Sequence, residues 1–241
     1  MMSKLYGEWA FIWEALTPDD AYCDEALLYW SLLNDGRTTA IQSLVELGSG
    51  GGYLAQHLDQ PKHLILIDQS EVMLALSKKR NPSAVHLCAD MCHADYGHRA
   101  DAVLIHDAIM YLTSREAVAA CLRNAIRQLN PKGRILIVPD LLKETFFENI
   151  VSGEGQIQER HVHLTEWRWK PEMDGNAFKV AFSALMRHAE AVQSLFEVHE
   201  MAYLSYLEWL ELFNELGLRV HQIDFMRYEL PRELFLLSLQ E

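Results

Sequence analysis

One glutamate and four glycines lie close together in one short stretch of this 241-residue chain. The stretch reads VELGSGGG over residues 45–52, so Glu46 stands two residues before Gly48 and further glycines follow. Asp68 comes twenty residues after Gly48, at the end of the apolar run HLILID. Glycines before a helix let backbone N–H groups approach a ligand, because no Cβ is in the way. A carboxylate that ends the next strand can accept both hydroxyls of a ribose. These residues therefore indicate a ligand that contains a nucleoside.

The same spacing excludes two familiar phosphate-binding loops. A dinucleotide fingerprint needs GxGxxG, and Tyr53 occupies the position of its last glycine. A triphosphate-binding loop needs a lysine followed by serine or threonine, and this loop has neither. The pattern is instead ExGxGxG, from Glu46 to Gly52.

Apolar runs that alternate with helical patterns must position these groups. The predicted strands cover residues 43–47, 63–68, 84–90, 100–107 and 134–140. The predicted helices cover the first forty residues and then 53–59, 70–80 (with Ser70 as N-cap) and 114–133. Such alternation predicts a parallel sheet that is buried on both faces, with right-handed crossovers.

A different pattern begins after Asp140. Residues 156–170, 177–188 and 194–205 alternate polar and apolar side chains, which predicts an antiparallel sheet. A helix over 206–217 and strands over 219–226 and 233–239 follow. We therefore predict an α/β fold: a Rossmann-like doubly wound sheet of about seven strands, mostly parallel with an antiparallel last strand, plus an antiparallel sheet inserted after the fifth strand.

Five motifs in chain order carry a resemblance to a known family. They are VELGSGGG, LILIDQS, CADM, ADAVLIHDAIMYL and LNPKGRILIVPD, and together they span residues 43–140. In this order and spacing they resemble class I S-adenosylmethionine-dependent methyltransferases. The resemblance implies S-adenosylmethionine as methyl donor and S-adenosylhomocysteine as product. It also implies a core of residues 43–150 and 206–241, N-terminal helices (1–42) that close the donor site, and an inserted sheet (151–205) that serves as substrate, cap or dimer lobe.

The resemblance assigns donor-binding roles residue by residue. The loop residues that approach the donor are Gly48, Ser49, Gly50 and Gly52. Glu46 orients this loop or binds the methionine amino group, and Asp68 binds the ribose. The residues implied around the adenine and the methionine part are Gln69, Asp90 and Met91 for the adenine and the backbone of His106 for the methionine part.

The N-terminal aromatic helix and the insertion resemble small-molecule members of the family. The similar members are of the glycine N-methyltransferase and sugar-amine N,N-dimethyltransferase type, in which an N-terminal tyrosine reaches the donor. Tyr6 is the matching residue here, although Tyr-Gly stands where those proteins have Tyr-Asp.

Histidines on the insertion are candidates for a general base. Period two puts His161, His163, Thr165, Trp167 and Trp169 on one face of a strand and Arg160, Glu166 and Arg168 on the other. We expect the histidine and tryptophan face to line the acceptor pocket. The candidate catalytic bases are His106, which ends the fourth strand, His163 and His199.

These observations predict an enzyme that transfers a methyl group in line to the amine or hydroxyl of a small molecule. The alternatives are a protein or RNA methyltransferase, or a protein that binds S-adenosylmethionine without turnover. The net charge of −13 disfavours nucleic acid and anionic membranes as partners. We expect no bound metal, because His161 and His163 have no evident third ligand.

Two further expectations concern the cellular setting. Four cysteines without a CxxC pair, and no pattern typical of a signal peptide, favour the cytoplasm. Analogy alone suggests a homodimer built through the inserted sheet.

Overall fold

A computed structural model describes residues 3–59, 61–171, 175–221 and 233–240 of the chain. Within these residues the central sheet has seven strands: β1 (Ser43–Leu47), β2 (His63–Asp68), β3 (Val85–Cys88), β4 (Ala100–His106), β5 (Leu129–Val138), β10 (Leu218–His221) and β11 (Phe235–Leu239). Their spatial order is β10-β11-β5-β4-β1-β2-β3. The pairs among β1 to β5 are parallel, and β11 runs antiparallel to β5. The predicted fold class is confirmed.

Burial on both faces explains why the central strands read as continuous apolar runs. All five residues of β1 are buried, and only Asp101 of β4 is partly exposed. β1 pairs with β2 on one side and β4 on the other, so its carboxyl end lies between theirs. The loops that follow these three strands therefore meet at one edge of the sheet.

The helices around this sheet are α1 (Phe11–Leu16), α2 (Cys23–Asn34), α3 (Glu71–Arg80), α4 (Arg115–Arg127) and α5 (Tyr206–Glu215). Ser70 caps α3 as predicted, because its hydroxyl accepts from the Met73 amide at 3.1 Å. Two predicted helices are too long. The one predicted over 53–59 is a single 3-10 turn, Ala55–His57, and the one predicted over 114–133 ends at Arg127 because Leu129 already pairs with Ala100.

A second sheet has four antiparallel strands within the described residues: β6 (Asn149–Ile157), β7 (Arg160–Trp169), β8 (Ala177–His188) and β9 (Ala191–Ala202). The prediction of three strands was wrong, because β6 contains two glycines and shows no clear alternation. β9 also begins three residues earlier than predicted. Of the strand predicted over 219–226, β10 covers the part up to His221, and residues 222–226 lie outside the described residues.

The N-terminal segment, residues 3–16, lies between the two sheets. Leu5, Trp9 and Ile12 are buried in one hydrophobic core with side chains from both sheets. α1 packs closely on β6, where a Cβ added to Gly155 would lie 2.0 Å from the carbonyl oxygen of Ala15. The glycine that hides β6 in the sequence therefore lets α1 approach the second sheet.

Every helix found among the described residues is too short or too polar to cross a membrane.

Candidate active site

A cavity of about 970 Å³ lies beyond the carboxyl ends of β1, β2 and β4. Its opposite wall is the inner face of the second sheet, and residues from the N-terminal segment also line it. The predicted site residues that line it are Tyr6, Glu46, Gly48, Ser49, Gly50, Asp68, Gln69, Met91, His106 and His199. Gly52, Asp90 and His163 are not among its lining residues. The structure thus brings most of the predicted residues together from widely separated segments.

The glycine loop has a backbone conformation that favours glycine. Gly48, Gly50 and Gly52 have φ values of 72°, 52° and 70°. A Cβ at Gly48 would lie 2.1 Å from the Cβ of Ala108, so close approach of the loop after β4 also requires glycine there. Gly52 instead faces α3, where a Cβ would meet the Ser77 hydroxyl at 2.3 Å. Gly52 therefore serves packing of the loop against α3.

Asp68 joins the glycine loop to the start of α3. Its Oδ2 accepts from the Gly50 amide at 2.9 Å, and its Oδ1 accepts from the Ser70 amide at 2.8 Å. Burial raises the pKa of Asp68, and these backbone hydrogen bonds oppose the rise. Each carboxylate oxygen can accept a second hydrogen bond, so the side chain can hold a diol while it fixes the loop.

Glu46 is a buried carboxylate with an unused acceptor. Its residue is 3% exposed, and within the described chain no group donates to Oε2. Burial raises the pKa of Glu46 to about 7, although the nearby His106 lowers it. A buried acceptor without a donor is costly, and a cationic group in the cavity would relieve that cost. Ser49 has a buried hydroxyl that also lacks a described partner.

His106 is held by carboxylates at the end of β4. Its Nε2 lies 3.4 Å from Glu25 Oε2 and 3.3 Å from Asp107 Oδ1. The rings of Tyr22 and Tyr29 pack against the imidazole with centroids 5.8 and 5.6 Å away. The next residue, Asp107, has a φ of 55°. The ring is therefore fixed between α2 and the turn that follows β4.

Side chains from distant segments form a hydrogen-bonded row on the other side of the cavity. The hydroxyls of Tyr6 and Tyr111 are 2.7 Å apart, and the Tyr111 hydroxyl lies 3.0 Å from His199 Nδ1. His199 Nε2 lies 3.3 Å from Glu197 Oε2. Burial raises the pKa of both tyrosines well above its ordinary value, so both hydroxyls stay neutral at physiological pH.

The backbone of the N-terminal segment is attached at two points near this row. Glu197 accepts from the amides of Lys4 at 2.8 Å and Leu5 at 3.0 Å. The Ser70 hydroxyl donates to the carbonyl oxygen of Tyr6 at 2.5 Å. The second sheet and the N-terminus of α3 therefore hold Tyr6 in place.

The face of β7 that lines the cavity is the opposite of the one predicted. Val162 and Leu164 are in the core, and Glu166 and Arg168 line the cavity. Trp167 is 52% exposed. The prediction that the histidine and tryptophan face lines the pocket was wrong, because period two does not say which face is buried. The apolar Val162 and Leu164 share a face with Glu166, and this signal would have identified the inner face.

His163 lies exposed on the outer face of the second sheet, with its Nε2 3.3 Å from the Thr165 hydroxyl. That position separates it from the cavity and from His199, which lies on the inner face. The sequence reasoning also missed four cavity or near-cavity residues: Tyr111, Glu166, Arg168 and Glu197.

Asp90 lies two residues after the end of β3. Its Oδ1 accepts from the Cys92 amide at 2.8 Å, and its side chain is exposed outside the cavity lining. Its neighbours Ala89 and Met91 do line the cavity. The contact made by Asp90 is that of a turn-capping residue.

No cluster of three or more His, Cys, Asp or Glu side chains able to hold a metal ion occurs among the residues that the structure describes.

Comparisons with known proteins agree with this geometry. Residues 45–137 match a family model described as a methyltransferase domain. The dTDP-3-amino-3,4,6-trideoxy-alpha-D-glucopyranose N,N-dimethyltransferase of Streptomyces venezuelae is 24% identical over 196 residues, which cover 78% of this chain and 80% of that protein.

Solved structures show the same fold. The crystal structure of Streptomyces venezuelae DesVI has a TM-score of 0.80 at 22% identity and covers 99% of both chains. CalS10, an amino pentose methyltransferase from Micromonospora echinaspora solved with S-adenosylmethionine bound, has a TM-score of 0.77 at 19% identity and covers 99% of this chain and 98% of that one.

The residues on the cavity wall fit S-adenosylmethionine. The unused Glu46 oxygen suits an ammonium group, Asp68 suits a ribose, and the glycine loop leaves room for close approach. Together with the matching family model, these features identify the domain. Residues 45–137 match a methyltransferase domain, and the chain shares its fold with DesVI and CalS10.

Proposed function

We propose that this methyltransferase acts on the amine of a small molecule of the amino-sugar class. The supporting observation is the composition of the cavity wall opposite the glycine loop, where Glu166, Tyr6 and Tyr111 all line the cavity. Burial raises the pKa of Glu166, and Arg168 opposes the rise. A half-buried carboxylate beside neutral hydroxyls attracts an ammonium group and accepts N–H hydrogen bonds. The named acceptor of the Streptomyces venezuelae relative is also an amino sugar.

Arg168 gives this wall one cationic group. Its Nε donates to Asn149 Oδ1 at 2.9 Å, which leaves other guanidinium N–H groups to bind an anion. A sugar attached to a nucleoside diphosphate carries such an anion. We therefore propose that Arg168 binds the phosphate part of the acceptor while Glu166 binds its amine.

For the donor we propose the residues that surround the glycine loop. Glu46 binds the methionine ammonium group, Asp68 binds the ribose, and the loop from Gly48 to Gly50 lies against the methionine part. Gln69 and Met91 border the adenine. Bound S-adenosylmethionine supplies an electrophilic methyl group on a sulfonium.

Of the three candidate bases, His199 has the strongest support. It lines the cavity and is hydrogen-bonded to Tyr111, whereas His106 is held by Glu25 and Asp107 and His163 lies on the outer face. We also propose a separate role for each part of the chain. The N-terminal segment closes the donor site, the central sheet binds the donor, and the second sheet supplies acceptor contacts.

Calorimetric titration of S-adenosylmethionine, S-adenosylhomocysteine and NADH tests the donor site. We expect both sulfur ligands to bind and NADH not to bind. Asp68→Ala should weaken both at least tenfold, which is about 1.4 kcal/mol. Asp101→Ala is the matched control, because Asp101 also accepts two backbone amides, those of Gln42 and Ser43, but lies outside the cavity lining. Equal losses in the two variants would contradict the proposed role of Asp68.

Methyl incorporation into a pair of sugars tests the acceptor class. The amine probe is dTDP-3-amino-3,4,6-trideoxy-glucopyranose, and the control is the same nucleotide sugar with a hydroxyl in place of the amine. We expect methylation of the amine alone. Methylation of the hydroxyl compound at an equal rate would overturn the proposed amine specificity.

The homodimer and the cytoplasmic location stay predictions. Gel filtration with light scattering tests the first, and fractionation of the producing cell tests the second.

A further inference from the structure

The hydrogen-bonded row across the cavity contains more groups than donor binding requires. It runs from Tyr6 to Tyr111, then to His199 and Glu197, with successive distances of 2.7, 3.0 and 3.3 Å. Three segments supply it: the N-terminal segment, the 3-10 turn Ala108–Tyr111 that follows β4, and β9. A row of this kind can move a proton by successive transfers along its hydrogen bonds.

We propose that Tyr6 and Tyr111 carry the proton released by the methylated amine to the His199–Glu197 pair. This inference rests on the proposed amine acceptor, and it gives Tyr111 and Glu197 roles in the reaction. The nitrogen lone pair forms the N–C bond, and the C–S bond breaks with its electron pair remaining on sulfur. The nitrogen then has four bonds and a positive charge, and it must lose one proton to become a neutral amine again.

The hydrogen-bond pattern fits transfer in one direction. Ser3 Oγ donates to Glu197 Oε2 at 2.8 Å, so its oxygen is left to accept from His199 Nε2, which is 3.3 Å away. If Nε2 carries the hydrogen, Nδ1 is the ring acceptor and Tyr111 donates to it. Tyr111 then accepts from Tyr6, and the oxygen of Tyr6 accepts the proton from the amine. Each hydroxyl thus accepts one proton and donates the proton that it carried before.

The neutral state of the tyrosines is suited to this role. Burial keeps the pKa of each hydroxyl high, so neither tyrosine holds a negative charge between turnovers. Burial would also raise the pKa of Glu197, but the Lys4 and Leu5 amides and the Ser3 hydroxyl outweigh it and lower that pKa. Glu197 therefore remains ionised and stabilises an imidazolium at His199.

Exposure increases from His199 to Glu197, at the end of the row. Tyr6 and Tyr111 line the cavity, the His199 side chain is 10% exposed and the Glu197 side chain is 19% exposed. Glu197 Oε1 accepts from the Lys4 amide in an exposed hydrogen bond. The last member of the row thus reaches solvent, which allows the proton to leave before a second methyl transfer.

Other charged groups face the row from neighbouring elements. Glu166 and Arg168 lie on β7, Asp140 follows β5 and Glu200 lies on β9; all four line the cavity. On β8, Phe182 contacts the His199 ring with a centroid distance of 4.8 Å. The groups that surround the row therefore include three carboxylates and one cation.

The test compares Tyr111→Phe with Tyr96→Phe. Both remove a tyrosine hydroxyl, from half-buried Tyr111 and from buried Tyr96, but the Tyr96 hydroxyl has no partner among the described residues and lies outside the cavity lining. Nitrogen-15 NMR of the histidine rings, with His199 assigned through its loss in His199→Gln, reads the row without any acceptor. We expect the His199 ring signals to move in Tyr111→Phe and to stay unchanged in Tyr96→Phe.

Turnover with the nucleotide-linked amino sugar named above gives the second readout. Tyr111→Phe and His199→Gln should each lower kcat at least tenfold and leave the donor Kd within twofold, while Tyr96→Phe changes neither.

Three results separate the possibilities. His199 signals that do not respond to Tyr111→Phe, or an unchanged kcat in that variant, overturn the relay. A loss that arises entirely from weaker donor binding overturns it too, because it assigns the row to holding the N-terminal segment. If the wild type methylates no amine although it binds the donor, the proposed acceptor fails, and the relay fails with it as a path for that proton.

Discussion

The two walls of the cavity hold their polar groups in different ways. On the wall formed by the central sheet, backbone conformation is decisive: Gly48 and Gly50 have positive φ, and Asp68 binds two loop amides. On the wall formed by the second sheet and the N-terminal segment, side chains hold one another, as in the row from Tyr6 to Glu197. The first wall depends on local sequence, and the second depends on contacts between residues nearly two hundred positions apart.

This difference explains how each wall can respond to amino-acid substitutions. A loop built from backbone groups tolerates few substitutions, because a Cβ alone can block it. A wall built from side chains on strands can exchange those side chains while the strands remain. We therefore expect donor binding to be the less adaptable half of the site, and acceptor choice the more adaptable half. Four predictions test this difference between the two walls, in order of decreasing expected effect.

Gly48→Ala should have the largest effect. The new Cβ would lie 2.1 Å from the Ala108 Cβ, at a backbone φ of 72° that disfavours alanine. We expect donor affinity to fall at least a hundredfold, about 2.7 kcal/mol, in calorimetric titration. Gly36→Ala is the control, because Gly36 also has a positive φ (64°) but faces open space. It should destabilise the fold by about 1 kcal/mol and leave donor binding unchanged. Similar donor affinities in the two variants would contradict the steric argument.

Gly155→Ala tests how the second wall is attached. The added Cβ would meet the Ala15 carbonyl oxygen at 2.0 Å, so α1 must move away from β6. We expect the free energy of unfolding to fall by about 2 kcal/mol, measured by chemical denaturation, with a loss of turnover. Gly153→Ala is matched in strand and residue type, but its nearest contact is Leu16 at 3.7 Å. A loss as large in Gly153→Ala would show that β6 needs glycine for another reason.

Glu46→Gln tests charge on the first wall. The pKa of Glu46 is raised from 4.5 to about 7, so between these values the folded ligand-free protein binds more protons than the unfolded chain. Its free energy of unfolding should therefore fall as pH rises through that range and then level off. A bound ammonium favours the ionised carboxylate, so donor affinity should rise with pH up to about 7.

The glutamine variant should lose that pH dependence of donor affinity and bind the donor about tenfold more weakly above pH 7. Glu154→Gln, on the exposed side of β6, is the control and should keep the wild-type profile. An unaltered profile in Glu46→Gln would assign the pH dependence to another group.

Adjacent substitutions on β7 test the two faces of one strand. Glu166→Gln should lower turnover of an amine acceptor about fivefold, about 1 kcal/mol, with an unchanged donor Kd, because Glu166 lines the cavity. Trp167→Ser changes the next residue, which is 52% exposed on the outer face, and should keep turnover within twofold. Loss of turnover in Trp167→Ser alone would mean that the outer face takes part in catalysis.

The sequence predicted the first wall well because its determinants are local. Glycines after a strand, and a carboxylate at the end of the next one, are sufficient to place Glu46, Gly48 and Asp68 at one edge of a parallel sheet. The second wall needed information that single segments lack. The predicted alternation of β7 side chains was correct. Which side of β7 is buried depends on what packs against it, namely the N-terminal segment with α1.

β6 was missed for the same physical reason. Its glycines read as a loop until α1 is seen to rest on them. Tyr111 was also missed, although its segment was recognised, because its partner His199 is 88 residues away. Asp90 was expected to bind the adenine; its Oδ1 accepts from the Cys92 amide, and its role towards the adenine stays a prediction.

The attachment of Ser3, Lys4 and Leu5 to Glu197 has a consequence for the timing of folding. The partners are 192 to 194 residues apart, so during synthesis Ser3, Lys4 and Leu5 must wait for Glu197. At ordinary rates of translation that delay is roughly 10–40 s. The donor-binding loop and its strands can form during this interval, but Tyr6 cannot be fixed over the cavity. The contacts that fix Tyr6 should therefore form after β1 to β5 have been synthesised, whereas β10 and β11 join the central sheet later still.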